Sequence, residues 1–207
     1  MTTTAIIATG VANTASVAAA LRRVGLDPRV TADPSQVESA DLAVLPGVGS
    51  FGVGMAMLSQ TRNDRVVVER INAGRPLLAV CLGMQLFGTC SDESPGVAGL
   101  SVVPNPVTAF PEGVRTPQFG WNRVVRVDDA RFTEGYAYFA NSFRFTKAPE
   151  GWEVAAADHG GKFIAAMQRG HTLACQFHPE LSGAWGLGLL RNWVERCGVK
   201  TKETAPC

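Results

Sequence analysis

Cys81 stands between the apolar segment Leu77–Val80 and a glycine, in the sequence LLAVCLGMQ. Ala79 and Gly83, two residues before and two residues after the cysteine, are both small. This spacing is typical of a nucleophile elbow, a tight strand-to-helix turn with no room for larger side chains at those positions. The turn exposes the sulfur, and the N-terminus of the following helix stabilises a thiolate. We therefore predict that Cys81 is a nucleophile and that the Leu82 N–H faces the oxyanion formed by its attack.

A cysteine nucleophile needs a general base, and the chain contains three histidines. His159 and His171 lie in the polar segments ADHGGK and RGHT, which predict solvated turn residues. His178 ends the apolar segment TLACQF, and a strand end is where an open α/β sheet places its site. Glu180 follows two residues later and can accept a hydrogen bond from the second imidazole nitrogen. The sequence thus predicts a triad of Cys81, His178 and Glu180.

Residues 47–52 spell G-x-G-x-x-G, the pattern of a dinucleotide-binding turn. Such a turn needs an acidic residue about 20 residues further on, at the end of the next strand. Glu69 stands at that distance but lies in the helical pattern VVVERI, so we predict no nicotinamide or flavin cofactor. The simplest alternative is a turn that uses glycine for its positive φ. The five cysteines form no C-x-x-C pair, which disfavours a zinc site or a disulfide framework, and we predict neither metal nor cofactor.

Composition narrows the class of protein. The 207 residues are 46% hydrophobic and 18% charged, which predicts a globular fold with a substantial core. The net charge of +1 gives no reason to expect nucleic acid or an anionic membrane as a partner. The N-terminus lacks the basic region of a signal peptide, and no apolar run reaches the length of a membrane span. We therefore expect a cytoplasmic protein.

The elements that position these residues change character along the chain. Up to about residue 90, short apolar segments alternate with helical patterns, which favours a parallel sheet covered on both faces. The predicted strands there are Thr4–Ala8, Pro28–Thr31, Asp41–Leu45 and Leu77–Val80, and the predicted helices are Ala15–Val24, Thr61–Ala73 and Gly83–Cys90.

From Gly99 to Phe177 the sequence is rich in β-forming segments separated by polar turns, which indicates antiparallel hairpins. These segments are SVVPNPVTAF, RVVRV, YAYFAN, WEVAAA, FIAAMQ and TLACQF, and a helix over Ala184–Arg196 follows them. The predicted fold class is a single α/β domain, with a mostly parallel central sheet flanked by helices and an antiparallel β extension. We assign residues 1–200 to this domain and residues 201–207 to a C-terminal tail.

Five stretches, LPGVGSFG, CLGMQLF, TPQFGWN, YFANSF and QFHPELSGAWGLGLL, follow one another over most of the chain, and GVANTASV lies near its start. Together they resemble the class I glutamine amidotransferases, in which a Cys-His-Glu triad hydrolyses glutamine to glutamate and ammonia. The resemblance is closer to one group of that family, the glutaminase subunits of imidazole glycerol phosphate synthase in histidine biosynthesis. It implies a heterodimer in which this chain supplies ammonia to a separate cyclase/synthase chain with a (β/α)₈ barrel.

The resemblance also implies roles for further residues. The P-G-V-G segment becomes a mobile oxyanion strand, in which a peptide flip turns the Val48 N–H toward the oxyanion beside that of Leu82. The positions that match glutamine-holding residues are Gly47, Gly49, Gln85, Ser142 and Phe143. Interface residues with the synthase are expected at Trp121, Asn122 and the Gly10–Asn13 loop.

Four positions depart from the family pattern. Asn141 stands where the family often has His, Phe143 replaces Tyr, Leu181 replaces Lys, and Ala79 replaces Gly. We expect Asn141 and Leu181 to lie near the partner face. The alternatives are a glutaminase subunit for anthranilate, GMP or pyridoxal phosphate synthesis, a non-catalytic assembly subunit, and a free-standing cysteine hydrolase or peptidase of similar fold.

Overall fold

The computed structural model of the protein describes residues 2–10, 13–128 and 130–199. In these ranges the helices are α1 Thr14–Arg23, α2 Pro34–Ser39, α3 Phe51–Thr61, α4 Asn63–Asn72, α5 Leu82–Gln85 and α6 Gly183–Arg196. The strands are β1 Thr4–Ile7, β2 Pro28–Thr31, β3 Leu42–Leu45, β4 Leu77–Val80, β5 Thr108–Ala109, β6 Gln118–Arg126, β7 Gly135–Asn141, β8 Phe143–Arg144, β9 Glu153–Asp158, β10 Lys162–Arg169 and β11 Thr172–Cys175. None of the described helices is both long and apolar enough to span a bilayer. The predicted tail, residues 201–207, lies outside the described ranges.

One nine-stranded sheet forms the centre of the fold, in the order β2-β1-β3-β4-β11-β10-β9-β6-β7. Its first five strands are parallel, and from β11 to β7 each neighbour is antiparallel. Strands β5 and β8 form a separate antiparallel pair. The predicted α/β fold with an antiparallel extension is confirmed. Strands β4 and β11 are neighbours, so the two segments that carry the predicted nucleophile and base end at the same edge.

The parallel strands are buried on both faces, because successive side chains point to opposite sides of a sheet. In β4, Leu78 and Val80 pack in the layer that contains α1 and α6. Leu77 and Ala79 pack in the opposite layer, with α3 and α4. This is why β4 is an uninterrupted apolar segment rather than an alternating one.

The glycine-rich segment, residues 47–52, leads into a helix that was not predicted. The sequence pattern predicts one helix over Thr61–Ala73. In the structure, α3 starts at Phe51 and ends at Thr61, and Arg62, which has a left-handed φ of 61°, precedes α4. A Cβ on Gly54 of α3 would lie 3.2 Å from side-chain carbons of Leu82 and Leu86. The glycines that disguised α3 as a turn therefore allow it to pack closely against the segment after Cys81.

Other differences are smaller. Helix α2 was not predicted, although Asp33 caps it and Pro34 occupies its first turn. Of the predicted helix Gly83–Cys90, only Gly83–Gln85 is helical, as part of α5. Of the segment SVVPNPVTAF, only Thr108–Ala109 forms a strand.

Candidate active site

Cys81 occupies a strained backbone conformation between β4 and α5. Its φ of 53° and ψ of −110° are unusual for a residue other than glycine, and such strain often occurs at functional sites. A Cβ on Gly83 would lie 2.1 Å from the carbonyl oxygen of Leu45, and Ala79 is fully buried. The neighbouring backbone thus requires a glycine at position 83, and the small Ala79 agrees with the pattern of a nucleophile elbow.

His178 lies beyond the end of β11, next to the end of β4. The register of the two parallel strands pairs Cys175 with Val80, and the Cys81 N–H donates to the Cys175 carbonyl at 2.7 Å. The His178 N–H in turn donates to the Tyr138 carbonyl at 2.9 Å, which fixes its backbone against β7. The sheet therefore brings the predicted nucleophile and base to one edge.

Glu180 contacts the Nδ1 atom of the His178 imidazole. Its Oε1 lies 2.8 Å from Nδ1 of His178, and the two side chains are only 3% and 7% exposed, respectively. The 3₁₀ turn Pro179–Leu181 provides the tight reversal that allows residues two apart to meet. With Nδ1 engaged by Glu180, Nε2 is the nitrogen left for chemistry at Cys81.

Electrostatics favour a charged pair at this site. Burial acts to lower the pKa of His178, because it disfavours the imidazolium. Hydrogen bonds with Cys81 and Glu180, together with the negative charges of both partners, outweigh burial and raise the pKa of His178 to about 10. The imidazole of His178 is therefore protonated at neutral pH.

A cavity of about 300 Å³ opens in front of the sulfur. It is lined by Val48, Gly49, Cys81, Leu82, Gln85, Glu93, Ala140, Asn141, Ser142, Phe143 and His178. Of the predicted site residues, Gly47 and Glu180 are not in its wall. A larger hollow, of about 530 Å³, lies near the amino end of β1, but it is lined by no cysteine or histidine. Chemistry therefore favours the smaller cavity as the site.

The two expected oxyanion donors, the N–H groups of Leu82 and Val48, differ in their surroundings. The Leu82 N–H donates to the carbonyl of Gly47, with an N–O distance of 3.4 Å, and so is already occupied. Val48 is half-buried and lines the cavity, and Gly49 after it has a φ of +103°, which favours glycine. Gly47 also packs tightly, because a Cβ there would lie 2.4 Å from the backbone nitrogen of Gly83. In this conformation the segment covers the donor instead of completing the oxyanion hole.

Ser142 and Phe143 lie on the cavity wall with their carbonyl oxygens already bonded. The Ser142 carbonyl accepts from the Phe110 N–H at 3.3 Å. The Phe143 carbonyl accepts from the side-chain amides of Gln85 and Asn141, both at 3.0 Å. The protein thus fixes this wall by itself, before any substrate binds.

Two further residues of the site were missed by the sequence analysis. Glu93 lines the cavity, and its Oε2 accepts from the Phe51 N–H at 2.6 Å, at the start of α3. Within the polar segment CSDES nothing distinguishes it from Asp92. Gln176 is fully buried, and its amide contacts Cys81 and Gln85. An uncharged polar residue in the otherwise apolar segment TLACQF was a signal that could have revealed it.

The other histidines lie outside the cavity. His171 is exposed, as predicted. His159 is half-buried rather than fully solvated, because its Nε2 lies 2.8 Å from the Arg115 carbonyl and its ring packs edge-on against Phe110.

The residues predicted at or near the partner interface differ in exposure, and Asn141 is only 4% exposed and lines the cavity instead. Trp121 of β6 is 59% exposed, whereas Asn122 is half-buried and donates to the Asp158 carbonyl at 2.8 Å. Leu181, one of the departures, is 42% exposed. Of the Gly10–Asn13 loop, residues 11 and 12 lie outside the described ranges, and Asn13 caps α1.

Comparison with known proteins identifies the family. Residues 5–197 match the family model described as "Glutamine amidotransferase class-I". The chain belongs to this family. A crystal structure of a glutamine amidotransferase has the same fold, with a TM-score of 0.77 over 95% of this chain and 99% of that one, at 21% sequence identity.

Sequence relatives indicate a group within this family to which the chain is similar in sequence and length. The chain is 43% identical to the imidazole glycerol phosphate synthase subunit HisH of Methanothermobacter thermautotrophicus, over 92% of this chain and 97% of the relative. It is 40% identical to the same subunit of Thermococcus kodakarensis, over 91% and 97%. The chain is therefore a glutamine amidotransferase, and these relatives place it with the HisH subunits. The predictions of family and of glutaminase activity are confirmed.

Proposed function

We propose that Cys81, His178 and Glu180 hydrolyse glutamine to glutamate and ammonia, and that the ammonia passes to a separate synthase chain that completes an imidazole glycerol phosphate synthase. One observation carries the proposal of the triad. A strained cysteine, a histidine that Glu180 holds at 2.8 Å, and a cavity large enough for a small ligand meet at the ends of β4 and β11.

The reaction follows from the charges of the pair. The Cys81 thiolate attacks the side-chain amide carbon of glutamine, and the imidazolium of His178 protonates the departing ammonia. This leaves a thioester and a neutral imidazole. His178 then takes a proton from water, whose oxygen attacks the thioester carbon, and returns it to the sulfur as glutamate leaves. Glu180 keeps Nδ1 of His178 engaged throughout.

The cavity offers complementary groups for a free amino acid. Glutamine carries an ammonium group, and Glu93 supplies a carboxylate in the wall. We assign Gly49, Gln85, Ser142 and Phe143 to the wall that holds glutamine, and Gly47, outside this wall, supports the Val48–Gly49 segment. A volume of about 300 Å³ is at the small end of ligand pockets, which suits a single amino acid.

A single peptide rotation would complete the oxyanion hole. The Gly47 carbonyl and the Val48 N–H belong to the same peptide unit and point in opposite directions. Because the carbonyl now faces Leu82 N–H, a flip of this unit frees the Leu82 donor and brings the Val48 donor to the same side. The flip rotates ψ of Gly47 and φ of Val48, and Gly47 has no Cβ to restrict its backbone conformation.

The synthase would bind at the β6–β7 edge of the sheet. Phe119, Trp121 and Tyr136 are 71%, 59% and 61% exposed, and such apolar patches mark interaction surfaces. The ring of Trp121 packs edge-on against Tyr138, whose carbonyl binds the His178 N–H. This aromatic face is therefore continuous with the site. A barrel-shaped synthase seated here would receive ammonia without its release into water.

Cellular location is part of the proposal. Four cysteines lie in the described ranges, and all four are free thiols. This fits a reducing compartment such as the cytoplasm.

Glutamate release in the presence of the synthase partner tests the proposed triad. Cys81→Ala should abolish turnover, whereas Cys90→Ala, which alters an exposed thiol outside the cavity, should leave it unchanged. Undiminished turnover by Cys81→Ala would refute the assignment. Titration with a glutamine-analogue alkylator separates an enzyme from a non-catalytic assembly subunit, because the latter would not react at Cys81.

A further inference from the structure

Gln176 is a fully buried polar side chain that contacts the sulfur. It follows β11 directly, and its backbone N–H donates to the Ala165 carbonyl at 2.8 Å. Its side-chain Nε2 lies 3.7 Å from Sγ of Cys81, and its Oε1 accepts from Nε2 of Gln85 at 3.0 Å. A buried amide is costly without partners, so both contacts matter to the free energy of the site.

The Phe143 carbonyl determines which group donates in each of these hydrogen bonds. The Phe143 carbonyl can only accept, so Gln85 must present its NH₂ group to it. The second hydrogen of that NH₂ group then faces Gln176, which must answer with its carbonyl oxygen. Gln176 is left with its own NH₂ group toward Cys81. The chain of amides therefore presents a donor to the sulfur, and a thiolate accepts such a bond better than a thiol.

We propose that Gln176 is a positioning residue of the glutaminase: its N–H holds the Cys81 sulfur as a thiolate, while its carbonyl holds Gln85 against the substrate cavity. The reaction in which it takes part rests on the proposed function. His178 supplies the charge beside the sulfur, and Gln176 supplies a neutral donor from within the core. A residue needed only for packing would not have to carry an amide here, because Met has a similar length and no polar requirement.

Two substitutions separate the two contacts. Gln176→Met removes donor and acceptor at similar length, whereas Gln176→Glu keeps an oxygen for Gln85 and, as a carboxylate, has no donor for Cys81. Gln168→Met is the matched control, because Gln168 is a partly exposed residue of β10 outside the cavity. Alkylation of Cys81 by iodoacetamide, resolved from that of Cys90 by peptide mass spectrometry, is measured against pH for each protein.

Both Gln176 variants should alkylate about tenfold more slowly at pH 7, the expected effect of removing one charge-assisted hydrogen bond, and their half-maximal rate should move to higher pH. KM for glutamine should rise in Gln176→Met and stay near the wild-type value in Gln176→Glu. Gln168→Met should match the wild type in every measurement.

Unchanged alkylation of Cys81 in folded variants would overturn the proposal. Thermal unfolding establishes folding, and if Gln176→Met does not fold, Gln176→Glu decides. Failure of both to fold would show that Gln176 maintains the core rather than the sulfur, and would overturn it as well. Absence of glutamate release by the wild-type complex would contradict the proposed function instead, because alkylation is measured without glutamine.

Discussion

The backbone N–H of Leu82 donates to the carbonyl oxygen of Gly47, with 3.4 Å between nitrogen and oxygen. The backbone donor that directly follows the nucleophile is thus occupied by the segment that we expect to supply the second donor. Because the same peptide unit carries the Gly47 carbonyl and the Val48 N–H, the two oxyanion donors become available together or not at all. Under the proposed mechanism this is a resting site, and the peptide flip would be required for rapid turnover.

Removal of the Val48 N–H tests this requirement. Val48→Pro deletes the donor without altering the triad and should lower kcat for glutamine hydrolysis by about 10²–10³-fold, the usual effect of losing one oxyanion donor. Val48→Ala keeps the N–H and should stay within a few-fold of the wild type. Steady-state kinetics with the synthase partner measures both. Equal kcat values for the two variants would show that this peptide takes no part.

Gly-to-Ala changes at the elbow and in α6 should have opposite effects on stability. Gly83→Ala would place a Cβ 2.1 Å from the Leu45 carbonyl oxygen, so β3 and β4 must separate and the protein should be strongly destabilised. Gly188→Ala, within α6, meets no atom within 4 Å and should stabilise the protein by about 0.5–1 kcal/mol. Chemical denaturation compares the free energies of unfolding. A mild effect of Gly83→Ala would contradict the described packing.

The raised pKa of His178 predicts how stability changes with pH. The pKa is about 10 in the folded protein and about 6.5 in an unfolded chain, so the stabilisation is complete below pH 6.5. It is lost as pH rises toward 10, by at most about 1.4 kcal/mol per pH unit. Urea unfolding from pH 6 to pH 10 should show this decline, and Glu180→Gln should reduce it.

His171→Asn provides the control for this experiment, because His171 is exposed and lies outside the site. The decline should persist in that variant. A decline of the same size in Glu180→Gln would mean that Glu180 does not contribute to the raised pKa of His178.

Glu93 combines two roles that a conservative change separates. Glu93→Gln keeps a carbonyl oxygen for the Phe51 N–H but removes the charge that would attract the substrate ammonium. We expect KM for glutamine to rise at least about tenfold, the loss of one charge-assisted hydrogen bond, with little change in melting temperature. Asp92→Asn alters a neighbouring exposed carboxylate and should leave KM unchanged. A normal KM in Glu93→Gln would remove Glu93 from the substrate site.

The aromatic face of β6 and β7 predicts where affinity for the synthase is lost. Trp121→Ala should weaken association by about tenfold or more, since exposed tryptophans often dominate interfaces. Val30→Ala alters an exposed apolar residue on β2, at the opposite edge of the sheet, and should have no effect. Titration calorimetry with the synthase measures both. Unchanged affinity of Trp121→Ala would place the partner elsewhere.

The parts of the fold that the sequence revealed are those set by local patterns. Apolar segments gave β1, β3 and β4, and the small residues around Cys81 gave the elbow. Helix α3 escaped detection because Gly52 and Gly54 read as turn residues, and their reason for being small is contact with Ser94, Leu82 and Leu86. Such contacts join distant parts of the chain and leave no periodicity in the sequence.

The same limit applies to the site. The proximity of Cys81, His178 and Glu180 could be predicted because their residue types follow the ends of two apolar strands. Glu93 could not, since its position in the cavity depends on the capping of α3 from a remote loop. The hydrogen bond from the Leu82 N–H to the Gly47 carbonyl could not be predicted either, because residue type does not determine the orientation of a single peptide plane.

The order of the sheet has a consequence for biosynthesis of the enzyme itself. Cys81 follows β4, and His178 follows β11, its neighbour in the sheet, yet β5 to β10 separate the two strands along the chain. On the ribosome, a nascent polypeptide that has emerged only as far as β10 carries the thiol without its imidazole. We therefore expect translation intermediates to leave the cellular glutamine pool untouched.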